Sequence, residues 1–113
     1  MRWFLRSKIH TATVTDAKVE YVGSIGIDAE LVEKAGLLAG EKVLIVDNTN
    51  GARVETYVIL EEPGSGAICV RGAAARLIKG GDQVIVMGFE LADHPVEVKN
   101  VLVDQENRFV RYL

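Results

Sequence analysis

The feature that most restricts the folds open to this chain is a weak internal repeat. Leu37-Leu38-Ala39-Gly40-Glu41-Lys42-Val43-Leu44-Ile45 resembles Leu77-Ile78-Lys79-Gly80-Gly81-Asp82-Gln83-Val84-Ile85-Val86, with one extra glycine in the second copy. Each copy reads as a short helix, a glycine-acidic turn and a buried strand. Two such copies in a chain of 113 residues fit one domain with one core. They predict a pseudo-twofold, mainly β barrel that closes its own edges. A long flat meander is disfavoured, because the short helices interrupt the strands.

The rest of the chain supplies strands to such a barrel. Residues 8 to 14 and 17 to 22 alternate polar and apolar, with Thr15-Asp16 as the turn between them. Asp28 is a plausible N-cap for a helix over 29 to 36, and Gly36 a plausible stop. Residues 42 to 46 are an apolar run typical of a strand buried on both faces, and 53 to 60 return after the Asn48-Thr49-Asn50-Gly51 turn. Ala67 to Arg71 reads as a short strand, and Gly72 to Ile78 as one or two helical turns opened by a glycine. Gln83 to Met87, residues 95 to 103 and residues 108 to 112 complete the strands.

Composition removes several function classes. A net charge of -3 and a pI near 5.4 give no basic face for nucleic acid. No apolar run approaches the ~20 residues of a membrane span, and no apolar segment follows the basic start as in a secretory signal. Cys69 is the only cysteine, so the chain forms no internal disulfide and no cysteine metal cluster, and the default location is the cytoplasm. Cys69, His94 and Trp3 read as structural.

The stretch that points to chemistry is Tyr21-Val22-Gly23-Ser24-Ile25-Gly26-Ile27-Asp28, where a Gly-Ser bond closes the second alternating run. Gly23 can adopt backbone angles closed to other residues, so the chain can kink there and offer its carbonyl to the Ser24 hydroxyl. Attack of that hydroxyl moves the acyl group from nitrogen to oxygen. β-Elimination of the ester then cuts the chain, and hydrolysis leaves a pyruvoyl group on the new N-terminus. Alone, a Gly-Ser pair is far more often an ordinary turn.

The order of several short motifs adds the missing context. Lys8-Ile9-His10, Thr13-Val14-Thr15, Tyr21 to Asp28, Thr49-Asn50-Gly51-Ala52-Arg53, Thr56-Tyr57, Gly64-Ser65-Gly66 and Gly72-Ala73-Ala74-Ala75 together resemble the aspartate 1-decarboxylases, from Lys8 to about Val103. These are pyruvoyl enzymes that make β-alanine for pantothenate. The resemblance implies a six-stranded double-psi β-barrel and a homotetramer. It also implies self-cleavage into residues 1–23 and 24–113, and no metal. An accessory maturation factor would be a further partner.

The same resemblance assigns roles. Ser24 becomes the pyruvoyl group that forms a Schiff base with L-aspartate, and Tyr57 is the proton donor; an unperturbed phenol titrates at about 10 and keeps its proton at neutral pH. Gly23, Ser24 and Thr56 carry processing, with the Thr56 hydroxyl on the oxyanion of the acyl shift. Lys8, Arg53, Thr56 and the backbone of Gly72, Ala73 and Ala74 bind substrate; a bidentate guanidinium suits a carboxylate. Two positions depart from the family pattern: Arg71 stands where asparagine is common, and Val46 where an aromatic is frequent. A barrel that binds without cutting itself is the alternative of a different class, and a pyruvoyl decarboxylase of another amino acid, such as glutamate, is the third reading.

Overall fold

The computed structural model describes all 113 residues. The strands are β1 (Arg2–Thr13), β2 (Asp16–Lys18), β3 (Ser24–Asp28), β4 (Lys42–Asp47), β5 (Arg53–Glu61), β6 (Ile68–Arg71), β7 (Gln83–Ala92), β8 (Lys99–Val103) and β9 (Phe109–Tyr112). The one α-helix, α1, is Ala29–Ala35, and Gly72–Arg76 is a 3-10 turn. Hydrogen bonding orders the nine strands β2-β6-β3-β5-β4-β7-β1-β8-β9. The protein is mainly β. No helix is long and apolar enough to cross a membrane.

The repeat is real and organises the sheet, but its alignment has no extra glycine. Leu37 corresponds to Ile78, Glu41 to Asp82 and Ile45 to Val86. The turns are superimposable in their bonding. Glu41 accepts from the Leu38 N–H at 3.0 Å and Asp82 accepts from the Lys79 N–H at 3.0 Å. Gly40 and Gly81 share left-handed backbones, φ 82 and 90. Each turn then grips a strand from elsewhere in the chain. Val58 N–H donates to Glu41 O at 3.0 Å while Gly40 N–H donates to Val58 O at 2.7 Å. Val14 does the same with Asp82 and Gly81, at 2.9 and 2.8 Å.

Two strand pairs lie on the pseudo-twofold axis. β4 and β7 run antiparallel with Ile45 facing Val86, flanked by Leu44 facing Met87 and Val46 facing Ile85. β3 and β6 run antiparallel with Gly26 facing Cys69, flanked by Ile25 facing Val70 and Ile27 facing Ile68. Inward side chains from both halves make one core that includes Ile9, Ile25, Ile27, Ile45, Val58, Ile68, Ile78, Val84 and Val86. Because side chains alternate across a strand, the neighbours of these residues form a second, outer face.

Three expectations are corrected. The second alternating run is a strand only over Asp16–Lys18; residues 19 to 23 turn away with Tyr21 and Val22 exposed. Alternation without a surface to pack on does not hold a strand. The first strand starts at Arg2 and β7 runs on to Ala92, because each extension supplies the other's partners, with Trp3 facing Leu91 and Leu5 facing Phe89. Residues 93 to 98 form a loop, so the expected strand from 95 begins only at Lys99.

Asp28 holds more than the start of α1. Its Oδ1 accepts from the N–H of Glu30 at 2.9 Å and of Gly64 at 3.0 Å, and its Oδ2 accepts from the Gly66 N–H at 2.9 Å. The residue is 3% exposed. Asp28→Ala therefore removes a cap and leaves buried donors unpaired, and is expected to destabilise the fold by about 2–4 kcal/mol. Urea unfolding measures this; a loss below about 1 kcal/mol would show that water replaces the carboxylate.

Candidate active site

The Gly23-Ser24 bond sits where the turn of residues 19 to 23 enters β3. Gly23 is exposed, whereas Ser24 is buried at 4% exposure. Ser24 faces Arg71 in the β3–β6 register, which sets Gly23 opposite Gly72. The two glycines touch closely: a Cβ on Gly72 would lie 2.6 Å from Gly23 Cα and 2.9 Å from Gly23 N. Gly72 also carries the left-handed backbone, φ 80. The special glycine geometry expected at Gly23 thus belongs to Gly72. Gly23 itself has room for a side chain, its nearest neighbour being Arg71 O at 3.9 Å.

Thr56 and Tyr57 come to the same bond from the other side of β3. Parallel pairing of β3 with β5 begins with Ile25 facing Val58, so Thr56 and Tyr57 are the two β5 residues level with Gly23 and Ser24. Thr56 shares the inward face of Val58 and is half-buried; Tyr57 points outward and is 37% exposed. The 3-10 turn opens at Gly72 with Ala73 exposed and Ala74 buried. The first N–H groups of such a turn have no partner inside it.

Lys8 and Arg53 are not gathered there. Both stand on the outer face of the sheet, Lys8 facing Met87 and Asn100, Arg53 facing Val46. β4 and β7 separate their strands, so about 14 Å of sheet lies between them. Along β5, Arg53 is about 13 Å from Tyr57. Neither cation enters an ion pair; the pairs formed are Arg6–Glu41, Lys42–Glu55, Arg71–Glu61 and His94–Asp93. Arg53 instead lines an open cavity of about 730 Å³ with Trp3, Lys42, Leu44 and Phe89. Trp3, read from the sequence as structural, is 70% exposed on this rim. Its place became visible only when β1 proved to start at Arg2.

Beside Lys8, the half-buried His10 has a ring Nδ1 with no hydrogen-bond partner. Burial, and then the Lys8 charge, hold its pKa below the ordinary value. The unfolded chain takes up a proton at about pH 6.5, where folded His10 still resists one. Stability is therefore full above that pH and falls as the pH drops below it. Urea midpoints measured from pH 8 to pH 5 are expected to fall less steeply in His10→Asn than in the parent; parallel curves would remove His10 from this titration.

Comparison with known proteins places the chain in a family. Residues 1–110 match the family model described as aspartate decarboxylase. The aspartate 1-decarboxylase of Corynebacterium efficiens is 54% identical over 114 aligned residues, covering 97% of this chain and 84% of that relative. The proteins of the same name from Bacillus thuringiensis and Bacillus anthracis are each 47% identical over 116 residues, covering 99% of this chain and 91% of each relative. With the match running through nearly the whole chain, this protein belongs to the aspartate decarboxylase family.

Proposed function

We propose that this chain is a pyruvoyl-dependent aspartate 1-decarboxylase, a carboxy-lyase that converts L-aspartate to β-alanine and carbon dioxide for pantothenate synthesis. The observation that carries the reading is the stacking of left-handed Gly72 on Gly23, one residue before a buried serine, in a chain 54% identical to a relative of that name. Six strands related by the pseudo-twofold axis, β1, β3, β4, β5, β6 and β7, with two turns that each grip a distant strand, support the six-stranded double-psi barrel. The cut between Gly23 and Ser24 would leave residues 1–23 and 24–113, working in the cytoplasm.

The residues present fit the group that Ser24 would become. Ser24 is shielded from water, its carbonyl partner Gly23 is reached without a side chain in the way, and Thr56 is level with that bond. The Thr56 hydroxyl would donate to the oxyanion as the Ser24 oxygen attacks. Once formed, the pyruvoyl carbonyl supplies an electron sink for the substrate amine. Lys8 and Arg53 hold the rest of the substrate, chiefly its side-chain carboxylate; a cation tight on the departing carboxylate would stabilise the ground state and oppose reaction. Tyr57 Oη then gives its proton to the α-carbon. Because Arg53 and Lys8 lie far from Ser24 of the same chain, a complete site calls for residues of a second copy, which supports the homotetramer.

Intact mass spectrometry of the purified protein, with a β-alanine assay, tests this. Two fragments, the longer with a pyruvoyl terminus, are expected from the parent, and Ser24→Ala should remain one uncut chain. A single parent chain would overturn the reading in favour of a binding barrel.

Thr56→Ala should slow cleavage by about 10²–10³-fold. Tyr57→Phe should be cut normally and yet lose about 10²–10⁴-fold in β-alanine formation. Faster turnover of glutamate than aspartate would keep the chemistry and change the substrate.

A further inference from the structure

Arg71 occupies the N-cap position of the 3-10 turn with extended backbone, φ -126 and ψ 149, and makes no capping hydrogen bond. Its counterpart across the axis, Asp28, does cap α1. The turn that carries Gly72 to Gly23 is therefore not fixed by a cap of its own. A side-chain pair instead reaches its first residue from another strand. Arg71 Nη1 donates to Glu61 Oε2 at 3.0 Å, with the two side chains 26% and 23% exposed.

Glu61 lies on β5 and Arg71 on β6, with β3 between them, so the pair straddles β3. It crosses over Gly26. A Cβ there would meet both partners, Arg71 Nη1 at 2.7 Å. A glycine inside a strand commonly marks such a close approach. The Glu61 hydrogen bond also raises the Arg71 pKa above its ordinary value.

We propose that the Glu61–Arg71 pair, seated on Gly26, is a positioning clamp for self-cleavage. It draws the Arg71 side chain along β3 toward Glu61 and away from Gly23-Ser24, and pins the Arg71-Gly72 backbone against that bond. Glu61 and Gly26 touch neither the attacking oxygen nor the carbonyl; they act through Arg71. The clamp ties β5, which brings Thr56, to β6, which brings Gly72, across the strand that Ser24 begins. A fork of fixed N–H donors on a carboxylate gives geometry that a mobile point charge would not. The proposal rests on the self-cleavage reading above.

Cleavage is timed by denaturing gel on freshly translated full-length chain, with thermal midpoints of the same variants. Glu61→Gln is expected to lengthen the cleavage half-time by roughly 10- to 100-fold, as small misplacements of reacting groups do, with little shift in midpoint. Gly26→Ala should slow it similarly by displacing the pair. In an Arg71→Asn background the short amide caps the turn itself, and neither substitution should slow cleavage further. An unchanged half-time in Glu61→Gln, or a slowing that persists in the Arg71→Asn background, overturns the clamp. A parent chain that stays whole overturns the self-cleavage reading and the clamp with it, whereas a parent cut no faster than Glu61→Gln overturns the clamp alone.

Discussion

The antiparallel pairing of β3 with β6 about Gly26 and Cys69 is the constraint on which the rest depends. Four buried side chains, Ile25, Ile27, Ile68 and Val70, fix its register. A slip of one residue would turn all four out of the core. At one end the register delivers Gly23 to Gly72. At the other, Asp28 N–H donates to Ala67 O at 2.9 Å, bringing the Gly64–Gly66 turn under the Asp28 carboxylate. Burial of hydrocarbon thus aligns the Gly23-Ser24 bond with Gly72.

The same sheet keeps the outward-facing polar side chains apart. Its inner face is spent on the core, and the outer face carries Lys8 on β1 and, at well-separated positions along β5, Arg53 and Tyr57. Arg53 sits on an open cavity beside exposed Trp3 and Phe89, with its charge unpaired. Lys8 lies in the outer row with its positive field on His10. A cation with no internal partner, beside an imidazole that burial and that charge keep from taking a proton, leaves the Lys8 charge uncompensated within the chain.

Much of this was legible before the structure. α1 and its cap, the buried strands β4 and β7 and the Asn-Gly hairpin follow from local pattern and turn chemistry. The boundaries of β1, β2 and β7 did not, because those strands are made by partners distant in sequence: the Arg2–Leu5 segment pairs only because β7 continues to Ala92. The residues around the Gly23-Ser24 bond were readable as a joint motif, but not their backbone geometry. Nothing local says that Gly72, rather than Gly23, carries the left-handed backbone. Asn107, expected only to help form a turn, is 1% exposed and bonds the Thr13 backbone and Gly66 O. Its role depends on three segments meeting.

The pseudo-twofold relation gives the Gly23-Ser24 bond a counterpart in the other half. If Gly26 corresponds to Cys69, then Gly23-Ser24 corresponds to Gly66-Ala67, so the fold builds the glycine-led bond twice. The second copy is fully restrained: Gly66 N–H donates to Asp28 Oδ2 at 2.9 Å and Gly66 O accepts from Asn107 Nδ2 at 2.8 Å. Donation to that carbonyl would favour attack, but Ala67 has no hydroxyl to make it. In the first copy the hydroxyl is present, Gly23 is exposed, and the opposing cap position holds Arg71 instead of an aspartate. Strand register and the leading glycine are therefore common to both halves, whereas Ser24 against Ala67 and Arg71 against Asp28 differ. Only the Ser24 side carries a hydroxyl, and the turn opposite it starts without a side-chain cap, its first residue tied to β5 by the Arg71–Glu61 pair.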